Sequence, residues 1–355
     1  MKKVLLGDII ELAYGKSLPQ RSRVPGRFPV FGSNGQVDTH NKYLVGGPGI
    51  IIGCKGSVGE VIWSKQDFWP IDTTYYVKLK NPDDDLRYWY YVLKTLGLNK
   101  LNSHSAIPGL NRDIAYIKQV PLRSTLEQKK IADILSSLDE KIELNRRINE
   151  TIEQLGQALF RHYFVDNPEA KNWDEGTFGD IMNITMGQSP PGKSYNDNGD
   201  GVVFYQGRAD FGSRYPNVRL FTTDPRRFAK VGDVLLTVRA PVGDVNQASE
   251  RCCIGRGLAA ISSRTGAASF CYYYCRQLKA DFLEYNSEGT VFGSINSKQL
   301  KALKLKIPPI GLVEKFENEV AVIDKTITLN SYQVKTLVVL CDSLLPKLIS
   351  GEIEV

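Results

Sequence analysis

Gly187-Gln188-Ser189-Pro190-Pro191-Gly192-Lys193-Ser194 has the spacing of a phosphate-binding loop, in which backbone amides and a lysine cradle a nucleotide. That chemistry needs a helix directly after the loop, so that its N-terminus faces the phosphates. Tyr195-Asn196-Asp197-Asn198-Gly199-Asp200-Gly201 follows instead, which is turn chemistry, and two prolines remove amides from the loop itself. A nucleotide hydrolase using Lys193 is therefore a rival reading that its context disfavours. Lys55-Gly56-Ser57-Val58-Gly59 is one glycine short of a nucleophile elbow. Glu127-Gln128-Lys129 offers the Glu-x-Lys of a nuclease, but on a helical stretch rather than a strand. Asn167-Pro168-Glu169 departs at its third position from the Asn/Asp-Pro-Pro-aromatic motif of adenine methylation. The three histidines, His40, His104 and His162, are scattered. No catalytic residue, metal ligand or cofactor is assigned.

Binding chemistry remains. Lys55 and Arg239 are basic residues in glycine-rich turns, where a backbone can approach phosphates or base edges. Lys16, Ser57, Arg112, Gln188, Arg208, Arg214 and Lys298, in turn-like or post-turn positions, complete the candidate DNA contacts. A solvated surface group is the competing reading for each. Tyr88-Trp89-Tyr90-Tyr91 and Tyr272-Tyr273-Tyr274 could stack on an extruded base, although such runs more often pack a helix on its own sheet. Cys271 and Cys275, one helical turn apart with no histidine near, read as core thiols. The formal charge of +6 is uneven: residues 1–122 carry +6 and 172–310 carry +4, against −1 for 124–165 and −3 for 311–355. Two basic blocks could hold a polyanion at two points.

The elements that must position these residues follow from length and pattern. A chain of 355 residues makes two or three domains at about 150 residues each. With 42% hydrophobic and 24% charged residues it is globular, neither disordered nor fibrous. Its longest apolar runs, such as Gly49-Ile50-Ile51-Ile52-Gly53, are too short to span a bilayer. Met1 to Leu6 imitates a signal peptide only until Asp8 and Glu11. Six cysteines without a Cys-x-x-Cys point to reduced thiols in a cytoplasm.

The chain also aligns with itself. Leu6-Gly7-Asp8-Ile9-Ile10 matches Phe178-Gly179-Asp180-Ile181-Met182 at an offset of 172 (Gly7 against Gly179). Lys55-Gly56-Ser57-Val58-Gly59 pairs with Arg239-Ala240-Pro241-Val242-Gly243 at 184, and Leu138-Asp139 with Ile323-Asp324 at 185. Two homologous halves with a variable middle explain the drift. Each half begins with short buried strands, Gly49–Gly53 in one and Asp233–Val238 in the other, with Asn34-Gly35 a tight hairpin turn.

Each half ends in a long helix. Ile131, Leu135, Leu138, Ile142, Asn145, Ile148, Ile152, Leu155 and Leu159 take eight steps over 28 residues, a period of 3.5. Phe316, Val320, Ile323, Ile327, Asn330, Val334, Leu337, Cys341, Leu344 and Leu348 alternate steps of four and three. These are coiled-coil seams, with a capping box from Ser124 to Glu127 and counterpart asparagines, Asn145 and Asn330, set to fix register. The expected fold is α/β (α+β). Two β-rich blocks, 1–122 and 167–310, are separated by antiparallel helices, 123–166 and 311–355, in a pseudo-two-fold repeat. About 40 helical residues reach roughly 60 Å, enough to separate two sites on one face of a duplex.

At this point the chain resembles the specificity (DNA-recognition) subunit of type I restriction-modification systems, over essentially its whole length. The resemblance is most specific in Leu126-Glu127-Gln128-Lys129-Lys130-Ile131-Ala132-Asp133-Ile134-Leu135 and Ala158-Leu159-Phe160-Arg161-His162-Tyr163-Phe164. It extends to Ile50–Gly59 with Phe68-Trp69-Pro70-Ile71-Asp72-Thr73-Thr74, to Asp233–Gly243, and to Leu345–Ile353 at the C-terminal close. It implies that each domain reads one half of a split DNA target and that the paired helices set the unread spacer. It implies two adenine methyltransferase subunits docked around the helices (Ile131, Leu135, Leu138, Ile142, Asn145, Ile152, Ile323, Ile327, Asn330, Leu337 and Leu344 forming seam and docking surface). Translocating restriction subunits would be added outside, and no chemistry would be done by this chain. The two domains match different subclasses, so the half-sites should differ. The second arm has Val313-Glu314-Lys315-Phe316 in place of the Glu-Gln-Lys-Lys run. The rival from another class is a protein-interaction adaptor that recruits partners through its helices.

Overall fold

A computed structural model describes residues 2–101, 109–279, 281–283 and 293–355; the histidine at 104 falls outside them. The chain divides into two compact units, residues 1–145 with 332–355, and residues 146–331.

In the first unit a four-stranded antiparallel sheet runs in the order Ile10–Tyr14, Thr74–Leu79, Gly49–Gly53, Val61–Ser64. All five residues of Gly49–Gly53 are buried. Side chains alternate across a strand, so the run is covered on both faces. Ile50 and Ile52 join the core under the helix Leu86–Thr95, whose Tyr88, Trp89, Tyr91, Val92 and Leu93 are buried. Ile51 points the other way, to Phe31 and Phe68. These belong to or adjoin a three-stranded sheet of Gly35–His40, Phe28–Gly32 and Trp69–Pro70. The hairpin between its first two strands closes at Gly32 opposite Gly35, whose φ of +114° suits glycine.

The second unit repeats this plan. Met182–Met186, Leu258–Ser263, Val234–Thr237 and Val245–Gln247 form a sheet of equivalent order. Val234 and Leu236 face the helix Ala268–Gln277, while Leu235 faces a second core. The variable middle lies in the second sheet, which has five strands here and three in the first unit. Both units are also closed by a short strand pair, Lys3–Leu5 with Gln119–Pro121 and Asp174–Thr177 with Lys304–Ile307.

The central helix spans Thr125–Phe160 and the C-terminal helix Ile310–Ser350. The capping box forms: the Glu127 amide donates to Ser124 Oγ (3.3 Å) and the Ser124 amide to Glu127 Oε2 (3.0 Å). In the first unit Ile131 and Leu135, from the start of one helix, share a core with Leu344, Leu348 and Ile349, from the end of the other. In the second unit Phe160 packs with Val313, Phe316 and Val320. The pairing is antiparallel within each unit.

The seam places Ile131, Leu135, Ile142, Asn145 and Ile327 in the interior, with Leu138, Ile152, Ile323, Asn330, Leu337 and Leu344 half-buried. Both asparagines find polar partners. Asn145 Nδ2 donates to Gln333 Oε1 and Asn330 Nδ2 to Asn149 Oδ1, each at 3.0 Å. Leu155 departs from the expectation, because it is exposed and Gly156 is buried in its stead. A straight helix drifts about 20° per heptad from a strict 3.5-residue repeat, so the series rotates off the seam toward its end.

Candidate nucleic-acid interface

Each four-stranded sheet gathers polar and basic residues at one end. In the first unit Lys16 follows the strand Ile10–Tyr14. Its amide donates to the Pro70 carbonyl (3.0 Å) and its own carbonyl accepts from Trp69 Nε1 (2.9 Å), which fixes the backbone and leaves the side chain exposed. Lys55 follows the strand Gly49–Gly53; its amide donates to the Thr73 carbonyl (3.2 Å), it bridges to Gly109, and its carbonyl accepts from Ser33 Oγ. Lys16 and Lys55 thus border the segment Pro70–Thr73, and their side chains, like that of Ser57 in the turn after Lys55, are in solvent. The approach is close enough that a Cβ on Gly15 would lie 2.1 Å from the Ile71 carbonyl oxygen.

The second unit builds the same corner. The amides of Gly187 and Gln188 donate to the carbonyls of Leu258 (2.9 Å) and Ile254 (3.0 Å). Arg239 bridges to Ser294, as Lys55 does to Gly109. A Cβ on Gly187 would lie 2.1 Å from the Gly255 carbonyl oxygen, repeating the Gly15 contact. Exposed Gln188 and Arg239 are joined by Arg256, whose amide donates to Ser189 Oγ (3.2 Å). Arg256 escaped the sequence reading because its repeat counterpart at the 184 offset is Asp72, of opposite charge. Its signal was the glycine on either side.

The remaining candidates separate. Lys298 is exposed on the short helix Ser297–Lys301. Arg112 is half-buried, its guanidinium 4.8 Å from the Tyr14 ring centroid. Arg208 is exposed and ion-paired to Asp244, which also holds Lys279 Nζ at 2.8 Å. Burial works against the Asp244 charge, but the hydrogen bonds from Lys279 and Arg208 outweigh it and hold this carboxyl below its usual range. Arg208, Asp244 and Lys279 line a cavity of about 460 Å³ with Arg161, Arg276 and Glu153.

Arg214 does not belong to the surface. It is 2% exposed, with Nη2 2.8 Å from Asp324 Oδ1, Nε donating to Gln247 Oε1 (3.1 Å) and its guanidinium 4.0 Å from the Tyr272 ring centroid. A buried arginine is retained only when paired, and its partners consume the donors a phosphate would need. Arg214 is withdrawn as a DNA contact.

The phosphate-loop pattern likewise lacks its context. The strand Tyr195–Asn196 follows Ser194, and Ser194 Oγ donates to the Pro191 carbonyl (2.7 Å). Tyr88, Trp89, Tyr91, Tyr272 and Tyr273 are buried in their own units, as are Cys271 and Cys275. Among the described residues, no cluster of three or more His, Cys, Asp or Glu could hold a metal ion, and no helix is long and apolar enough to cross a membrane.

These features define a class: an internally duplicated α/β protein with one glycine-lined, basic sheet end in each unit. The type I restriction modification DNA specificity domain matches residues 1–154 and 170–330, and the chain belongs to that family. It is 35% identical over 257 residues to the putative type I restriction enzyme MjaX specificity subunit of Methanocaldococcus jannaschii, covering 67% of this chain and 60% of that protein. It is 24% identical over 344 residues to the MjaIX specificity subunit of the same organism, covering 86% and 78%. The crystal structure of a type I restriction-modification S subunit from M. genitalium shares the fold, with a TM-score of 0.69 at 20% identity over 98% of this chain and 96% of that one.

Proposed function

We propose that this chain is the DNA-recognition subunit of a type I restriction-modification complex, and that it reads an asymmetric, split double-stranded target. The observation that carries the reading is the matched corner in each unit, Lys16, Lys55 and Ser57 in one, Gln188, Arg239 and Arg256 in the other. Exposed side chains on a rigid, glycine-lined backbone can contact phosphates and base edges at once. Residues 1–122 and 167–310 act as the two recognition domains, and 123–166 with 311–355 as the spacer helices. Adenine methyltransferase subunits dock around the helices and restriction subunits join outside them, in the cytoplasm. The chain does no chemistry of its own.

Exchanging residues 1–122 for the corresponding block of another such chain tests the reading. One half of the methylated target is expected to change while the other half and the spacer stay. A change in both halves would overturn the modular assignment. Several phosphate contacts also predict a steep loss of DNA affinity with salt, whereas an adaptor without DNA contacts predicts none.

A further inference from the structure

Both units fasten their buried aromatic helix to a long helix at two points. In the first, the Asp85 amide at the start of Leu86–Thr95 donates to Gln128 Oε1 (2.9 Å), and Gln128 Nε2 donates to Asp84 Oδ1 (2.7 Å). Farther along, Tyr91 Oη donates to Asp139 Oδ2 (2.7 Å), with Arg87 Nη2 3.5 Å from the same oxygen. In the second, the amides of Ser269 and Phe270 donate to the Glu317 carboxylate (3.0 Å each). There Tyr273 Oη donates to Asp324 Oδ1 (3.2 Å), and Arg214 Nη2 lies 2.8 Å from it.

Asp139 and Asp324 are counterparts in the repeat, and Tyr91 and Tyr273 hold the same position in their helices. The arginine does not follow the repeat. Arg87 comes from the aromatic helix itself, whereas Arg214 comes from the variable middle. The same tyrosine–aspartate–arginine cluster is thus assembled from different parts of the chain, which marks the position rather than the sequence as what matters. Apolar packing resists separation but is non-directional, so it does little against sliding or tilting. Charge-assisted hydrogen bonds are directional. Two of them, spaced 11 residues apart on the central helix and seven on the C-terminal helix, stand about 16 Å and 10 Å apart and fix an angle.

We infer that Asp139 and Asp324 are positioning residues. Each locks the angle and register at which its recognition domain sits on the long helix, and so sets how strictly the spacer between half-sites is measured. The inference rests on the split-target reading above. Duplex DNA advances about 3.4 Å per base pair, so a few ångströms of slack at a recognition surface is one step of spacer.

The test replaces the natural chain in its host by Asp139→Asn, Asp324→Asn, Tyr91→Phe or Tyr273→Phe. Adenine methylation is then mapped at the split motif with its natural spacer and with spacers one base pair shorter and longer. Methylation is expected to persist at the natural spacer and to rise roughly ten-fold at the other two, the effect of losing one charge-assisted hydrogen bond. The phenylalanine variants remove a single hydroxyl and keep the buried ring, so they remain informative where an asparagine variant fails to fold. A merely structural role would lower methylation at all spacers together. That outcome, or unchanged discrimination in every folded variant, overturns the inference and leaves the split-target reading intact. Absence of any split motif with the natural chain would overturn both.

Discussion

Gly156→Ala isolates what the interior of the second unit tolerates. On an exposed helix the exchange stabilises by about 0.8–1 kcal/mol, because alanine loses less backbone entropy. Here a Cβ would lie 2.2 Å from Tyr273 Oη and 2.4 Å from Cζ. That ring is fully buried, and its hydroxyl is held between Asp324 (3.2 Å) and Arg214 (3.3 Å). Overpacking a site that cannot yield costs about 1–3 kcal/mol, so the net is a loss of about 1 kcal/mol where propensity alone predicts an equal gain. For a unit of this size that is a fall in Tm of about 2–4 °C, read by calorimetry of the full chain. Tyr273→Phe in the same background removes the nearest atom and should recover part of the loss, a coupling visible in a double-mutant cycle. Leu155→Ala, at the exposed neighbouring position, should change stability by less than about 0.5 kcal/mol. A rise in Tm for Gly156→Ala would refute the packing argument.

Three further outcomes are expected. Asn145 is fully buried and its Oδ1 has no partner among the described residues, while its partner Gln333 can turn to solvent; Asn145→Leu should therefore stabilise by about 1–2 kcal/mol in urea unfolding, and destabilisation would contradict the seam assignment. Gln128→Ala should cost about 2–3 kcal/mol through the loss of its bonds to Asp84 and the Asp85 amide, whereas exposed Lys129→Ala changes less than about 0.5 kcal/mol. Hydrogen bonds from Ser124 hold Glu127, and those from Thr177 hold Asp180, below the usual carboxylate range. Their contribution is full above the unfolded-state value, about 4, and is lost as pH falls through the lower folded-state values. Melting curves from pH 6 to 3 should show that loss, and it should be shallower in Ser124→Ala with Thr177→Val; an unchanged slope would contradict it.

The repeat, the buried strands and most of both seams were legible because each is a periodic pattern of residue type. The end of the central seam was not, since the 3.5-residue series carries no record of helix drift, and Gly156 looks like an interruption until Tyr273 is placed against it. The basic residues divide in the same way. Lys55 and Arg239 were marked by local turn chemistry, which the fold keeps. Arg214 stands in similar local surroundings, but its fate is decided by Glu153, Tyr272 and Asp324, all remote in sequence. Gln128 drew notice as part of a run, yet the reason for its burial lies about 43 residues away at Asp84 and Asp85.

The most direct test of the central claim is a genome-wide map of methylated adenine in the host with and without this gene. One split, asymmetric motif should disappear with the gene, yielding both half-sites and the spacer between them. An unchanged map, or loss of a continuous or symmetric motif, would contradict the assignment of two different recognition domains to one bipartite target.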